Sequence, residues 1–70
     1  MKQIKFTSHT GRYEELNDCI ELVRIHWSYG TSYSILYNSC GERKIRVLLS
    51  TAKIHYVSPD VKISDEKGIE

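Results

Sequence analysis

The side chains best suited to chemistry in this 70-residue sequence are three histidines and two cysteines: His9, Cys19, His26, Cys40 and His55. Structural zinc sites use pairs of such residues two to four positions apart, because one turn of chain must bring two ligands to one ion. No two of these residues have that spacing. A Cys–His nucleophile pair is available in composition, but nothing around either cysteine marks its thiol as activated. We therefore predict no metal site and no catalytic residue.

Acid pairs and phosphate-binding loops are equally sparse. Glu14 and Glu15 adjoin in a segment that resembles a loop or a helix start, where carboxylates are favoured by the helix dipole. The four glycines stand alone, so none of them forms a glycine-rich phosphate loop. A small barrel also leaves little room for a cleft. We expect a protein that is not an enzyme and that uses no cofactor.

Basic and aromatic residues interleave over 24–29 and 53–56, and this pattern is the most suggestive in the chain. Single-stranded nucleic-acid binders use such a mixture, with cations on the backbone and rings stacked on bases. The competing explanation is an aromatic core face backed by a solvated cationic face, because rings and charges alternate and so point to opposite sides. The candidate residues for a partner or a nucleic acid are Arg24, His26, Tyr29, Tyr33, Arg43, Lys44, Arg46, Lys53 and His55.

The elements that must position these residues are predominantly strands. Residues 2–8 alternate, with Ile4 and Phe6 on one face, which is typical of a half-buried strand. Residues 12–18 are ambiguous, and a loop or a short helical turn is the favoured interpretation. A single helix over 12–29 is the alternative. Against it, residues 20–27 are rich in β-branched and aromatic types, and Val23, Ile25 and Trp27 alternate with polar residues.

Two hairpins with three-residue loops give the strongest structural argument. A loop over 29–31 pairs Trp27 with Tyr33 and Ile25 with Ile35. A second loop over 40–42 pairs Ile35 with Val47, and by the same register Tyr33 with Leu49. Both registers place large apolar side chains at odd positions on one continuous face, with Leu22, Leu36 and Leu48 on the polar face. A one-residue slip would reverse the faces.

After Leu49 the alternation shifts by one residue at Ser50-Thr51, so Ala52, Ile54 and Tyr56 are expected inside and Lys53 and His55 outside. The fold class predicted is mainly β, a small five-stranded antiparallel barrel or strongly bent sheet. In architecture alone it resembles SH3-like and OB-like barrels. Residues 1–58 are assigned to a single β domain and residues 59–70 to a polar, flexible tail, with a short edge strand at 61–63 as the alternative.

Composition bounds the remaining expectations. The formal net charge is +1, divided as +3 over residues 1–57 and −2 over 58–70, which permits a phosphate partner without demanding one. Two cysteines, and no apolar stretch of signal-peptide or membrane length, predict a cytoplasmic protein with free thiols. A chain this short has a thin core, which favours oligomers.

Three functions are compatible with these features. The leading hypothesis is a non-enzymatic protein-interaction module, a stand-alone regulator or inhibitor that binds another protein and self-associates, most simply as a homodimer. The first alternative is a single-stranded nucleic-acid-binding barrel that uses a basic strand face. The second is a small-ligand binder whose pocket lies between subunits.

Overall fold

A computed structural model describes residues 2–68, which form seven strands and no helix. The strands are β1 (Ile4–Thr7), β2 (Tyr13–Leu16), β3 (Cys19–Trp27), β4 (Gly30–Ser39), β5 (Glu42–Leu48), β6 (Lys53–Val57) and β7 (Lys62–Lys67). They make a smaller sheet of order β2-β1-β6 and a larger sheet of order β5-β4-β3-β7. The mainly β prediction is confirmed. The five-stranded barrel is wrong, because seven strands divide into two sheets that do not close.

Both hairpins of the larger sheet have two-residue turns, which changes their registers. Trp27 pairs with Gly30 across Ser28-Tyr29, and Ser39 pairs with Glu42 across Cys40-Gly41. At the second turn Cys40 has φ +52° and Gly41 has φ +80°, the signature of a type I′ hairpin. The predicted three-residue loops are therefore wrong at both places.

The observed registers place Leu22, Ile35 and Leu48 on the inner face of the larger sheet. There they pack against Ile4 and Phe6 of β1. The buried core comprises Ile4, Phe6, Cys19, Leu22, Ile35, Leu48, Ala52 and Val61.

Apolar side chains also occupy the opposite face of the larger sheet. Because side chains alternate along a strand, Val23, Ile25, Leu36, Ile45 and Val47 point away from the smaller sheet, and we call this set the apolar outer face. The predicted common interior is thus correct for Tyr33, Ile35 and Tyr37 and wrong for Val23, Ile25, Trp27, Ile45, Val47 and Leu49.

Residues 12–18 form neither a helical turn nor part of a helix. Tyr13–Leu16 is strand β2, which pairs antiparallel with β1 so that Tyr13 faces Thr7 and Leu16 faces Ile4. Leu16 packs against the core while Tyr13 is exposed, which is the alternation of an edge strand.

The predicted flexible tail is replaced by structure over its described part. Val61 is buried in the core, and β7 pairs in parallel with β3 from Glu21–Lys62 to His26–Lys67. Backbone pairing and the anchoring of Val61 outweigh the polar composition of this segment. Ile69 and Glu70 lie outside the described residues.

The same substitution at two adjacent leucines, Leu48 and Leu49, distinguishes the observed register from the predicted one. Leu48 is fully buried and Leu49 is 53% exposed, whereas three-residue loops would bury Leu49 and expose Leu48. We expect Leu48→Ala to lower the free energy of unfolding by about 2–5 kcal/mol, since it leaves a core cavity. Leu49→Ala should cost about 1 kcal/mol or less. Chemical denaturation of both variants measures this, and a larger loss for Leu49→Ala would contradict the register.

Candidate functional site

The nine residues singled out in the sequence do not form one surface. Arg24, His26, Tyr33, Lys44 and Arg46 lie on the inner face of the larger sheet, Arg43 lies on its outer face, and Tyr29 lies in the β3–β4 turn. Lys53 and His55 belong to β6 in the other sheet. The basic strand face expected for nucleic acid is therefore divided among four places.

Asp65 of β7 gathers two of those residues on the inner face. Arg24 donates to both carboxylate oxygens, from Nε to Oδ1 at 2.9 Å and from Nη2 to Oδ2 at 3.0 Å. His26 Nε2 lies 2.8 Å from Oδ1. Hydrogen bonds from Arg24 and then His26 hold the pKa of Asp65 below its usual value. This Asp65 cluster fastens β7 to β3, because Arg24 and His26 belong to β3 and the carboxylate to β7.

The Asp65 cluster resembles a hydrolytic triad, because a carboxylate, an imidazole and a hydroxyl follow one another. Asp65 contacts His26 Nε2, and Thr31 Oγ1 lies 3.3 Å from His26 Nδ1. Two observations favour a structural role. Arg24 occupies both oxygens of the carboxylate. The side chains of Arg24, His26 and Asp65 are also 44%, 51% and 51% exposed, so water competes for each group. The cluster acts as an ion-paired clamp between parallel strands.

Arg46 is also committed to the fold. Its Nη2 donates to Glu14 Oε2 of β2, and its guanidinium carbon lies 5.7 Å from the centre of the Phe6 ring. An arginine over an aromatic face is attracted by the ring quadrupole. Arg46 therefore joins the two sheets, and its charge is not left for a phosphate.

The β3–β4 turn carries a pair of stacked rings. Trp27 and Tyr29 have centroids 5.8 Å apart at an interplanar angle of 12°, and Trp27 Nε1 donates to Ser32 Oγ at 2.8 Å. The indole lies against the backbone of Gly68, where an added Cβ would come within 2.2 Å of the ring. One face of the Tyr29 ring is thus covered by Trp27 of the same chain.

The smaller sheet carries exposed aromatic rings on one side, a grouping that the sequence pattern did not predict. Lys5, Tyr13, Lys53, His55 and Tyr56 point away from the core on its outer side, and we call this set the aromatic face. Lys53 and His55 were expected outside, but Tyr13 was expected in a loop or a short helical turn and Tyr56 inside.

A β-bulge explains why Tyr56 turns outward. Between β1 and β6 the register shifts at Lys5/Phe6, so that Lys5 pairs with Tyr56 but Phe6 pairs with Ile54. The extra residue, His55, puts two consecutive side chains on the same side. His55 Nε2 lies 2.7 Å from Thr7 Oγ1, while Lys5 Nζ lies 5.8 Å from the Tyr56 ring centre.

Contacts across the aromatic face bring its rings together. The Tyr13 and His55 rings have centroids 5.9 Å apart and are tilted by 33°. Tyr13 donates its hydroxyl to Glu15 Oε2 at 2.8 Å, and this bond raises the pKa of Tyr13. Tyr13 and Glu15 share the outer face of β2 and Glu14 and Leu16 the inner one, so each face carries one acid and the sequence shows no apolar–polar alternation that could have indicated this strand.

The two thiols differ in their surroundings. Cys19 is buried and donates to the carbonyl of Leu16 at 3.4 Å, and burial raises the pKa of its thiol. Cys40 is exposed in the β4–β5 turn. Within residues 2–68, no group of three His, Cys, Asp or Glu side chains is placed to hold a metal ion.

Comparison with known proteins gives no relative. No family model matches the chain, and neither the curated proteins nor the solved structures contain a significant match. No helix that is long and apolar enough to cross a bilayer occurs between residues 2 and 68.

The Asp65 cluster should make the stability of the protein depend on pH. Because the pKa of Asp65 is lowered in the fold, its stabilising effect is complete above the unfolded value of about 3.9 and is lost as the pH falls through the lower folded value. We expect Arg24→Gln to raise this pKa towards the ordinary value. Carboxyl NMR titration measures the pKa of Asp65 in each protein. Lys67→Gln is the control, and it should leave this pKa unchanged.

Two outcomes would contradict the role of Asp65 as a clamp. One is an ordinary pKa for Asp65 in the unaltered protein. The other is an unchanged pKa in Arg24→Gln.

Proposed function

We propose that this chain is a non-enzymatic binding module that self-associates through the apolar outer face. The observation that carries the proposal is the exposure of large aliphatic side chains on that face: Ile45 is 64% and Val47 57% exposed. Single apolar residues at a surface need no explanation, but a contiguous patch of them indicates an interaction site.

The members of the apolar outer face are neighbours across strands. Leu36 lies opposite Ile45, and Ser34 lies between Val47 and Val23. The patch therefore extends from β5 to β3 with a small side chain near its centre. Two packed sheet faces about 10 Å apart can bury such a surface.

The sheet edges are poor alternatives for self-association. Strand β5 ends the larger sheet on one side and carries Glu42, Arg43, Lys44 and Arg46, whereas β7 ends it on the other side and carries Lys62, Asp65, Glu66 and Lys67. Charged side chains on edge strands oppose pairing with another chain. The face is the surface that favours contact.

Charge complementarity supports a second copy as the occupant. Val47, Ser34, Val23 and Ser64 form one row across the outer face. A two-fold axis along this row brings Val47 of one copy over Val47 of the other. Lys62 and Glu66 lie two residues on either side of Ser64, so each Lys62 then faces the Glu66 of the other copy. Because the interface is two-fold symmetric, the dimer contains this ion pair two times.

The small core supports the same conclusion. Within residues 2–68, only eight hydrophobic side chains are buried. Proteins of this size gain stability from disulfides, metals or oligomerisation, and both cysteines are free. Free thiols are also consistent with the cytoplasmic location that we propose. A regulatory or inhibitory action on another protein, and a ligand pocket between subunits, stay predictions.

A charge swap tests the dimer and its symmetry. Because each contact joins residue 62 to residue 66, Lys62→Glu alone and Glu66→Lys alone should each weaken the dimer by about tenfold. The double variant should restore it. Val47→Asp should give a monomer at all concentrations, since it places a charge within the apolar outer face. Sedimentation equilibrium measures each constant.

Lys53→Glu is the matched control, because it reverses a charge on the smaller sheet and should leave the dimer constant unchanged. Circular dichroism checks that every variant is folded. A strictly monomeric unaltered protein at millimolar concentration would overturn the proposal. Failure of the double variant to recover would overturn the two-fold arrangement.

A further inference from the structure

We propose that the aromatic face binds single-stranded nucleic acid, with Tyr13, His55 and Tyr56 as stacking platforms and Lys5 and Lys53 as phosphate contacts. The inference is independent of the proposed dimer, because the aromatic face lies on the smaller sheet and the dimer contact on the larger one.

The first support is the number of exposed rings on one side of a small sheet. Tyr13 on β2 is 54% exposed and Tyr56 on β6 is 47% exposed, with His55 beside them. None of these three belongs to the core or to the partly buried residues that pack against it. Exposed rings on a sheet surface stack on unpaired bases, whose faces are apolar.

The second support is the bulge that aims two consecutive side chains outward. In a regular strand, either His55 or Tyr56 would face the core. The shift between Lys5 and Phe6 instead sets both rings on the same side as Lys5 and Thr7. Bulges interrupt a ladder and are over-represented where a side chain must be re-aimed next to a functional site.

The third support is the charge that this face leaves unpaired. Among residues 2–68, the ion pairs take up Arg24 and His26 with Asp65, and Arg46 with Glu14. Lys5 and Lys53 take part in none of these pairs. In this part of the chain Lys5 Nζ lies over the Tyr56 ring, whereas Lys53 has no such ring contact, and neither ammonium group is held by a carboxylate. Both can therefore contact a phosphate oxygen on this side of the sheet.

One acid lies on the same side and limits the charge. Glu15 pairs across the strands with Lys5 and accepts the Tyr13 hydroxyl. Glu14 points inward to Arg46 and does not contribute. With two lysines against one carboxylate, the face suits a short contact of about two phosphates. Stacking rather than charge should then provide most of the affinity.

The experiment measures fluorescence anisotropy of a labelled twelve-nucleotide oligothymidine and a matching oligouridine. We expect binding at low salt, with log K falling against log salt at a slope of about −1.4 for two phosphate contacts. Tyr13→Ala and Tyr56→Ala should each weaken binding about five- to hundredfold. Tyr56→Phe should bind like the unaltered protein, because it keeps the ring. Lys53→Gln should reduce the slope by about 0.7.

Matched controls lie on the larger sheet and its turns. Tyr29→Ala removes an exposed ring, and Arg43→Gln and Lys44→Gln remove exposed cations; all three should leave binding unchanged. Val47→Asp should also bind, which separates this inference from the dimer. Absence of binding at 50 mM salt, equal binding to a duplex, or greater loss in the controls than in Tyr56→Ala would overturn the inference.

Discussion

The lengths of two turns determine which side chains of the larger sheet meet the smaller one. With two residues at Ser28-Tyr29 and two at Cys40-Gly41, Leu22 lies beside Ile35 on the side that packs against β1. One more residue in either turn would reverse the faces of the strand that follows, since side chains have a period of two. The core, the apolar outer face and the contact of Arg46 with the Phe6 ring all depend on these two registers.

Unequal strand lengths explain why charged residues share the inner face with the core. Strands β3 and β4 have nine and ten residues, whereas β1 and β2 have four each. The smaller sheet can therefore cover only part of the larger one. Beyond the covered part, the side chains of Arg24 and His26 are 44% and 51% exposed, and both bond to Asp65, which secures the parallel strand β7. The ion pairs of the larger sheet thus join strands of the fold, and Lys5 and Lys53 of the smaller sheet take part in none of them.

Local patterns predicted much of the chain correctly. The strands at both sides of the first hairpin, the break at Ser50-Thr51 and the outward direction of Lys53 and His55 follow from alternation and turn residues. The register could not be obtained in this way, because β3 has apolar side chains on both faces, Leu22 on one and Val23 on the other. Cys40 at positive φ is also an unusual residue for a type I′ turn, so the residue types do not reveal that this turn has two residues.

Long-range pairing accounts for the other differences. Strand β7 is mostly polar, and its place beside β3 depends on a parallel ladder between segments about 40 residues apart. The apolar residues of this region are Val61, which is buried before the strand, and Ile63, which is 48% exposed. The bulge in β6 arises from its register with β1 and leaves no mark in the sequence. The aromatic face requires both this bulge and strand β2, so it could not be assembled from spacing alone.

Cross-strand nuclear Overhauser contacts report the register of the larger sheet residue by residue. With two-residue turns, we expect backbone contacts that align Leu22 with Ile35 and Leu36 with Ile45. Contacts that align Ile25 with Ile35, and Ile35 with Val47, would contradict this register. The apolar outer face would then be the core.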